Sequence, residues 1–170
     1  GPGAWALIAG PDEKIYLGTW DGGLILRFDP RQPEKGIEVA GKPSPTEEYL
    51  WQYDLGKDGK LYACTYPQAK LVSFDPATGK MEDLGRMHPT EMYARSLAVG
   101  PNGKVYVGIG TETGDLVVYD PATRAHRSIM PEGLRSTTPG NFVGVTRRSD
   151  GRIYVTCSAA DGLDQCRTRA

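Results

Sequence analysis

One phrase recurs along this 170-residue chain and narrows its fold more than any other feature. Its fullest copy is Lys57-Asp58-Gly59-Lys60-Leu61-Tyr62, followed by Lys70-Leu71-Val72-Ser73-Phe74-Asp75-Pro76-Ala77-Thr78-Gly79. It returns as Asn102-Gly103-Lys104-Val105-Tyr106 with Leu116-Val117-Val118-Tyr119-Asp120-Pro121-Ala122-Thr123. An earlier copy reads Lys14-Ile15-Tyr16 with Leu26-Arg27-Phe28-Asp29-Pro30, and a late one breaks off after Asp150-Gly151-Arg152-Ile153-Tyr154. Tyr16, Tyr62, Tyr106 and Tyr154 are spaced by 46, 44 and 48 residues; Asp29, Asp75 and Asp120 by 46 and 45. A fixed period of this length marks a repeat architecture.

Each unit reads as four short strands. The first ends in an Asp-Gly or Asn-Gly pair, whose ease at positive φ makes it a strong hairpin signal. Unit one has Asp12-Glu13 there, so a looser or different turn is expected. The second strand carries the tyrosine. The third is apolar on nearly every residue, as a strand buried on both faces should be, and stops at Asp-Pro, where the aspartate can close an Asx turn. The fourth (Gly36 to Val39, Lys80 to Leu84, His126 to Ile129) is more polar and suits an outer edge. His126 is read there as a solvated side chain. Four antiparallel strands repeated radially describe β-propeller blades, and no 3.6-residue amphipathic run supports a helical solenoid instead.

The expected architecture is therefore an all-β β-propeller of about three and a half blades, an incomplete or open ring. Its single domain covers 1–157, with blades near 5–42, 45–86, 88–130 and 138–157 and a polar tail over 158–170 that lacks the third strand. A chain this short suggests a fragment of a longer protein, a ring closed by another copy, or an open arc. The outer faces of the first and last blades of an arc are expected to be apolar and unpaired, so a homo-oligomer, or aggregation, is expected of the isolated chain. The formal net charge of −1 with 24% charged residues offers no basic stripe for nucleic acid. No apolar run approaches about 18 residues, so no membrane-spanning helix is expected. Gly1-Pro2-Gly3, with no initiator methionine, reads as a processed or recombinant start, and a secreted or periplasmic setting is the expectation. Cys64 stands where other units have Gly18, Gly108 and Thr156, which points to close packing against a neighbouring sheet. Cys157 and Cys166 are either a disulfide or two free thiols; their spacing, with no histidine nearby, is not a zinc site.

Chemistry, if present, belongs at the entrances to the first strands and in the loops joining second and third strands, which share one face of a propeller. Aligned by distance to the hairpin tyrosine, Glu47 matches Glu91, Tyr49 matches Tyr93, and Trp51 matches Arg95, Trp5 and Val143. The candidate ligand-binding residues are Trp5, Trp20, Trp51, Tyr66, Lys70 and Glu91. Rings can stack on apolar faces while cations pair with carboxylates. The competing reading makes Glu47, Tyr49, Glu91 and Tyr93 blade-to-blade packing, because they recur with the scaffold. His88 and Arg95 break the repeat.

The phrase Phe74-Asp75-Pro76-Ala77-Thr78-Gly79-Lys80 after the Lys60-Leu61-Tyr62 hairpin resembles blades of several seven-bladed propeller groups. These are the quinoprotein-like repeats, the gluconolactonase and virginiamycin-lyase group, and the propellers of bacterial polysaccharide lyases. The resemblance covers residues 5–157 and specifies blades, not an activity. Met81-Glu82-Asp83-Leu84 stands where the quinoprotein pattern has a tryptophan, and the lactonase metal-ligand set has no residue-by-residue match, so neither cofactor nor metal is expected. A likeness to the lyases would make His88, Tyr93 and Arg95 catalytic, as base, acid and carboxylate-neutralising cation (a role Lys70 could also fill) for β-elimination from an acidic glycan. The favoured expectation is a non-catalytic module that binds a carbohydrate or protein partner through its channel face, within a larger protein or assembly. The alternatives are that lyase-type enzyme and a protein-interaction scaffold.

Overall fold

A computed structural model of the protein describes residues 3–135, 140–157 and 168–169. Blade 1 is β1 (Ala4–Ala9), β2 (Ile15–Thr19), β3 (Ile25–Phe28) and β4 (Ile37–Gly41). Blade 2 is β5 (Tyr49–Leu55), β6 (Leu61–Tyr66), β7 (Lys70–Phe74) and β8 (Met81–Arg86). Blade 3 is β9 (Tyr93–Val99), β10 (Val105–Thr111), β11 (Asp115–Asp120) and β12 (Ala125–Ser128). Each is an antiparallel meander in chain order. A fourth unit pairs β13 (Asn141–Arg147) with β14 (Ile153–Cys157) and β15 (Thr168–Arg169). The third-strand place of blade 4 is thus taken by β15, contrary to the expectation that the tail lacks it. Cys166 lies outside the described residues, and with it the question of the Cys157–Cys166 pair. Two 3-10 turns, Pro33–Lys35 and Glu132–Leu134, are the helical segments among the described residues. The all-β, open propeller expected from the repeat is the observed fold.

The recurring tyrosine and the recurring turn are one device. Tyr16 donates its hydroxyl hydrogen bond to Asp12 at 2.9 Å, Tyr62 to Asp58 at 2.8 Å and Tyr154 to Asp150 at 3.0 Å, while Tyr106 accepts from the Asn102 amide at 3.0 Å. The other carboxylate or amide oxygen takes the backbone N–H two residues on. Blade 1 forms the same turn as the others, with Gly10 N–H bonded to the Lys14 carbonyl as Gly56 is to Lys60, so its turn is not looser. Glu13 adopts φ 64° where Gly59 has 79°, a conformation that costs a non-glycine residue about 1 kcal/mol. The Asp-Pro aspartates are Asx turns, as read: Asp75 accepts the Ala77 N–H at 2.9 Å and Asp120 the Ala122 N–H at 3.0 Å.

Blades pack face to face through three apolar cores. The face of blade 2 that carries Tyr53, Leu61, Ala63, Val72 and Phe74 lies on Ala6, Tyr16 and Ile25 of blade 1. The corresponding rows of blade 3, with Leu97, Val105, Val107, Val117 and Tyr119, lie on Tyr62, Cys64 and Leu71. Those of blade 4, with Val143, Val145, Ile153 and Val155, lie on Ala98, Tyr106, Leu116 and Val118. Burying each large aliphatic side chain contributes about 1.5–3 kcal/mol, so these cores dominate the stability. Blade 1 has the same rows: Leu7, Leu17, Leu26 and Val39 stand opposite one another, as do Ala9, Ile15, Phe28 and Ile37. No blade covers them among the described residues, and Leu7, Val39 and Ile37 are 66%, 63% and 61% exposed. The other open face, on blade 4, is more polar, with Thr146 and Thr156 exposed. The expectation of two apolar outer faces therefore holds for blade 1 only.

Side chains of the inner strands stitch neighbouring blades together. Gln52 donates to the Leu97 carbonyl at 3.0 Å, and Ser96 binds both the Val143 carbonyl and the Val145 N–H at 2.9 Å. At the far end of the channel Asp54 accepts from the Val99 N–H at 2.7 Å and from Arg147 at 3.0 Å, tying three blades together. The close approach expected at Gly18, Cys64 and Gly108 is real. A Cβ on Gly108 would stand 2.0 Å from the Val143 carbonyl oxygen, and Cys64 is fully buried, with burial pushing its thiol up to about 12. Gly108→Ala is expected to lower stability by about 1–3 kcal/mol, the scale of core overpacking, measured as a drop in the urea midpoint. Thr156→Ala, at the same repeat position but exposed among the described residues, is expected to change it by less than about 0.5 kcal/mol.

Candidate functional site

At the channel end where chain entrances gather, each of the first three inner strands carries one extra residue. The pairing of β1 with β2 skips Trp5, that of β5 with β6 skips Trp51, and that of β9 with β10 skips Arg95. A β-bulge leaves its extra residue outside the ladder and re-aims the side chain. The repeat alignment of Trp5, Trp51 and Arg95 is therefore an alignment of three bulges.

These side chains meet. Trp5 stacks on Trp51 with ring centroids 4.1 Å apart and on Trp20 at 5.7 Å. The Arg95 guanidinium lies 5.1 Å from the Trp51 ring, 5.8 Å from Tyr93 and 4.9 Å from Phe142. A second row runs through the tyrosines: Tyr49 stacks on Tyr66 at 4.6 Å, and Tyr66 meets Tyr93 at 4.3 Å. Edge contacts of Tyr49 with Trp5 and Trp51 join the rows. The result is a continuous aromatic column from blade 1 to blade 4 with one cation inside it. Burial, and after it the neighbouring Tyr66 and Tyr49, push the Tyr93 hydroxyl above the ordinary phenol range. Arg95 makes no hydrogen bond or ion pair among the described residues. Its donors are thus held within an aromatic frame without a protein acceptor there, whereas Arg147, Arg86 and Arg27 each have one.

Of the candidate residues, Trp5, Trp20, Trp51, Tyr66, Tyr93 and Arg95 are brought together. Trp51 is partly buried, with Trp5 stacked on its ring and the Arg95 guanidinium beside it. Trp5, half exposed, offers the open indole instead. The remaining three serve other contacts. Lys70 pairs with Asp83 at 2.7 Å and donates to Thr46 at 2.8 Å. Glu91 is buried and accepts the N–H groups of Glu112 and Thr113, which fixes the β10–β11 loop. Glu47 does the same for blade 2, holding Thr65 and the Gln68 N–H on either side of Tyr66. His88 accepts the N–H groups of Thr90 and Glu91 at 3.3 and 3.1 Å through Nδ1, closing its own loop.

Two members of the column stand outside the candidate residues. Tyr49, which the competing reading gives to packing between blades, joins the two rows through such contacts. In blade 4 the tyrosine count pointed to Val143, but that residue is buried in the core, and Phe142 enters the column. β13 and β14 pair without a skipped residue, so blade 4 lacks the bulge and its register moves by one. The signal was present: Phe142 precedes Tyr154 by 12 residues, whereas Tyr49 and Tyr93 precede their tyrosines by 13.

No protein-family model and no curated protein sequence matches the chain. Solved structures do match in fold. A catalytically inactive virginiamycin B lyase from Staphylococcus aureus, with quinupristin, superposes with a TM-score of 0.72 at 12% identity over 99% of this chain and 56% of that one. The extracellular domain of BT4673 from B. thetaiotaomicron gives 0.70 at 19% identity over 98% and 21%. An auxiliary nutrient binding protein from Bacteroides thetaiotaomicron gives 0.66 at 14% identity over 98% and 40%. The chain thus spans about half the length of the lyase and less of the others.

Stacked indoles at these separations couple their transitions. The far-ultraviolet circular dichroism of the protein is expected to carry an exciton band that Trp5→Phe abolishes while the β-sheet signal and melting temperature persist. A spectrum unchanged by Trp5→Phe would place the indoles apart.

Proposed function

We propose that this chain is a non-catalytic ligand-binding propeller module whose channel face takes a carbohydrate bearing a carboxylate, as part of a larger protein or assembly. One observation carries the reading: Arg95 is a cation framed by Trp51, Tyr93 and Phe142, with no hydrogen-bond acceptor among the described residues. A guanidinium presents a planar fork suited to a carboxylate, and a half-exposed indole such as Trp5 suits the apolar face of a sugar ring. Placing both on inner-strand bulges of the scaffold fixes their geometry before the ligand arrives, which reduces the ordering cost of binding. The nutrient-binding name of one fold neighbour is compatible with this reading.

Binding is better supported than β-elimination. Elimination needs a base near the reacting carbon, but the Nδ1 of His88 accepts the backbone N–H groups of Thr90 and Glu91. That arrangement does not favour proton abstraction by His88. A scaffold for protein partners would not require an acceptor-free arginine inside an aromatic frame.

Titration calorimetry with a uronic-acid oligosaccharide and its neutral counterpart tests the proposal. Arg95→Ala is expected to weaken binding of the acidic sugar by roughly 1–3 kcal/mol, the scale of a charge-assisted hydrogen bond, and to remove the salt dependence. Trp5→Ala should weaken acidic and neutral sugars alike by about 1 kcal/mol and leave the salt dependence intact. Melting curves accompany each variant. A folded sample that binds neither class of sugar overturns the carbohydrate reading.

A further inference from the structure

We infer that Tyr66 and Tyr93 are a site of oxidative cross-linking, at which a one-electron oxidant joins blade 2 to blade 3 through a dityrosine bond. The inference stands whether or not the channel face binds a sugar. The two ring centroids are 4.3 Å apart and the ring planes are tilted by 32°. At that separation carbons of the two rings touch, and the hydroxyls are within hydrogen-bonding reach. Both side chains are half-buried, so a small oxidant reaches them, and neither hydroxyl meets a carboxylate among the described residues. The other tyrosines are placed differently. Tyr16, Tyr62 and Tyr154 each donate to an aspartate, Tyr53 is buried in a core, and Tyr62 and Tyr119 stand 6.5 Å apart. Both rings of the pair are also held. Glu47 accepts from the Thr65 hydroxyl and from the Gln68 N–H at 3.2 Å, on either side of Tyr66. Tyr93 is paired with Gly110 on β9, next to the fully buried Ala94. Tyr66 stacks on Tyr49 as well, at 4.6 Å; the shorter contact and the meeting hydroxyls select Tyr93 as its partner.

Coupling consumes two oxidising equivalents. Each phenol loses one electron to the oxidant and its hydroxyl proton to solvent, which leaves two neutral phenoxyl radicals. The unpaired electron of a phenoxyl radical is spread over the oxygen and the ring carbons ortho to it. The two unpaired electrons form one bond between an ortho carbon of Tyr66 and an ortho carbon of Tyr93. Each of those carbons then releases its hydrogen as a proton and each phenol oxygen takes one up, which restores both aromatic rings. Two electrons and two protons leave in all, so the chain loses two hydrogen atoms. Hydrogen peroxide consumed by a peroxidase is an oxidant of the required class: one molecule takes both electrons and both protons and ends as two waters. Radicals on separate tyrosines must meet by diffusion, whereas these two are held in contact, so their coupling is a step within one molecule. The bond ties residues 27 positions apart and restrains the unfolded chain, as a disulfide across such a loop does.

Brief illumination of the dilute intact chain with a ruthenium polypyridyl complex and persulfate supplies the one-electron oxidation for the test. The wild type is expected to gain dityrosine fluorescence while staying at the mass of one chain less two hydrogens. Tandem mass spectrometry of its peptides is expected to join Tyr66 to Tyr93, and the cross-linked protein to unfold at a higher urea midpoint. Tyr66→Phe and Tyr93→Phe are each expected to abolish the internal bond, and Tyr49→Phe to keep it, with β-sheet circular dichroism retained in all three. An internal bond that survives either of the first two substitutions, or that joins another pair of tyrosines, overturns the inference. So does a wild type whose oxidation gives cross-linked dimers or oxidised tryptophan without the internal bond.

Discussion

Every level of this structure depends on the way one sheet face lies on the next. Adjacent blades approach so closely at the second strand that Gly108 has no room for a Cβ against the Val143 carbonyl, and Gly18 none against Leu50. That spacing places the inner strands within reach of each other's backbones, where Gln52 and Ser96 bond across. It also orients the channel ends of those strands toward a shared axis. Without the close contact, residues 46 positions apart in sequence, such as Trp5 and Trp51, could not stack at 4.1 Å. The aromatic column is thus a consequence of blade packing, and the repeat supplies it at low sequence cost.

The bulges give that scaffold its candidate site. An ordinary inner-strand residue at this height faces a neighbouring blade, as Leu50 and Ala94 do, both fully buried. The extra residue in each bulge is turned out of the ladder and toward the channel. Two of the three are tryptophan and one is arginine, so the scaffold repeats while the chemistry changes from blade to blade. Buried carboxylates complete the arrangement from behind: Glu47 and Glu91 bind the loops that carry Tyr66 and adjoin Tyr93. They recur because the loops recur, and they position the site without belonging to its surface.

Much of this was legible in the chain itself. The period, the Asp-Gly turns and the apolar third strands identified blades because each is a local signal with a local cause. The match of Trp5, Trp51 and Arg95 was legible because it needs only counting back from the tyrosine. The bulges that give that match its meaning were not, since a bulge is a relation between two strands. The same blind spot put Val143 where Phe142 stands. Glu91 and Lys70 read as site residues because charge near a channel is suggestive, yet a carboxylate that meets two backbone amides, or an ammonium that meets Asp83, is indistinguishable in sequence from a ligand-facing one. The turn of blade 1 misled for a different reason. Glu13 replaces the glycine, but Asp12, Tyr16 and an ion pair with Arg31 at 3.3 Å retain the conformation.

The central claim is that the channel face binds through Arg95 within its aromatic frame. Heteronuclear NMR of the intact protein, following the Arg95 Nε–H and the indole N–H resonances during titration with a uronic-acid oligosaccharide, tests it most directly. The account predicts that the Arg95 and Trp5 signals shift together and saturate at one ligand concentration while the backbone amides of the outer strands stay in place. Saturable shifts confined to the outer strands, with Arg95 and Trp5 unmoved, would contradict it.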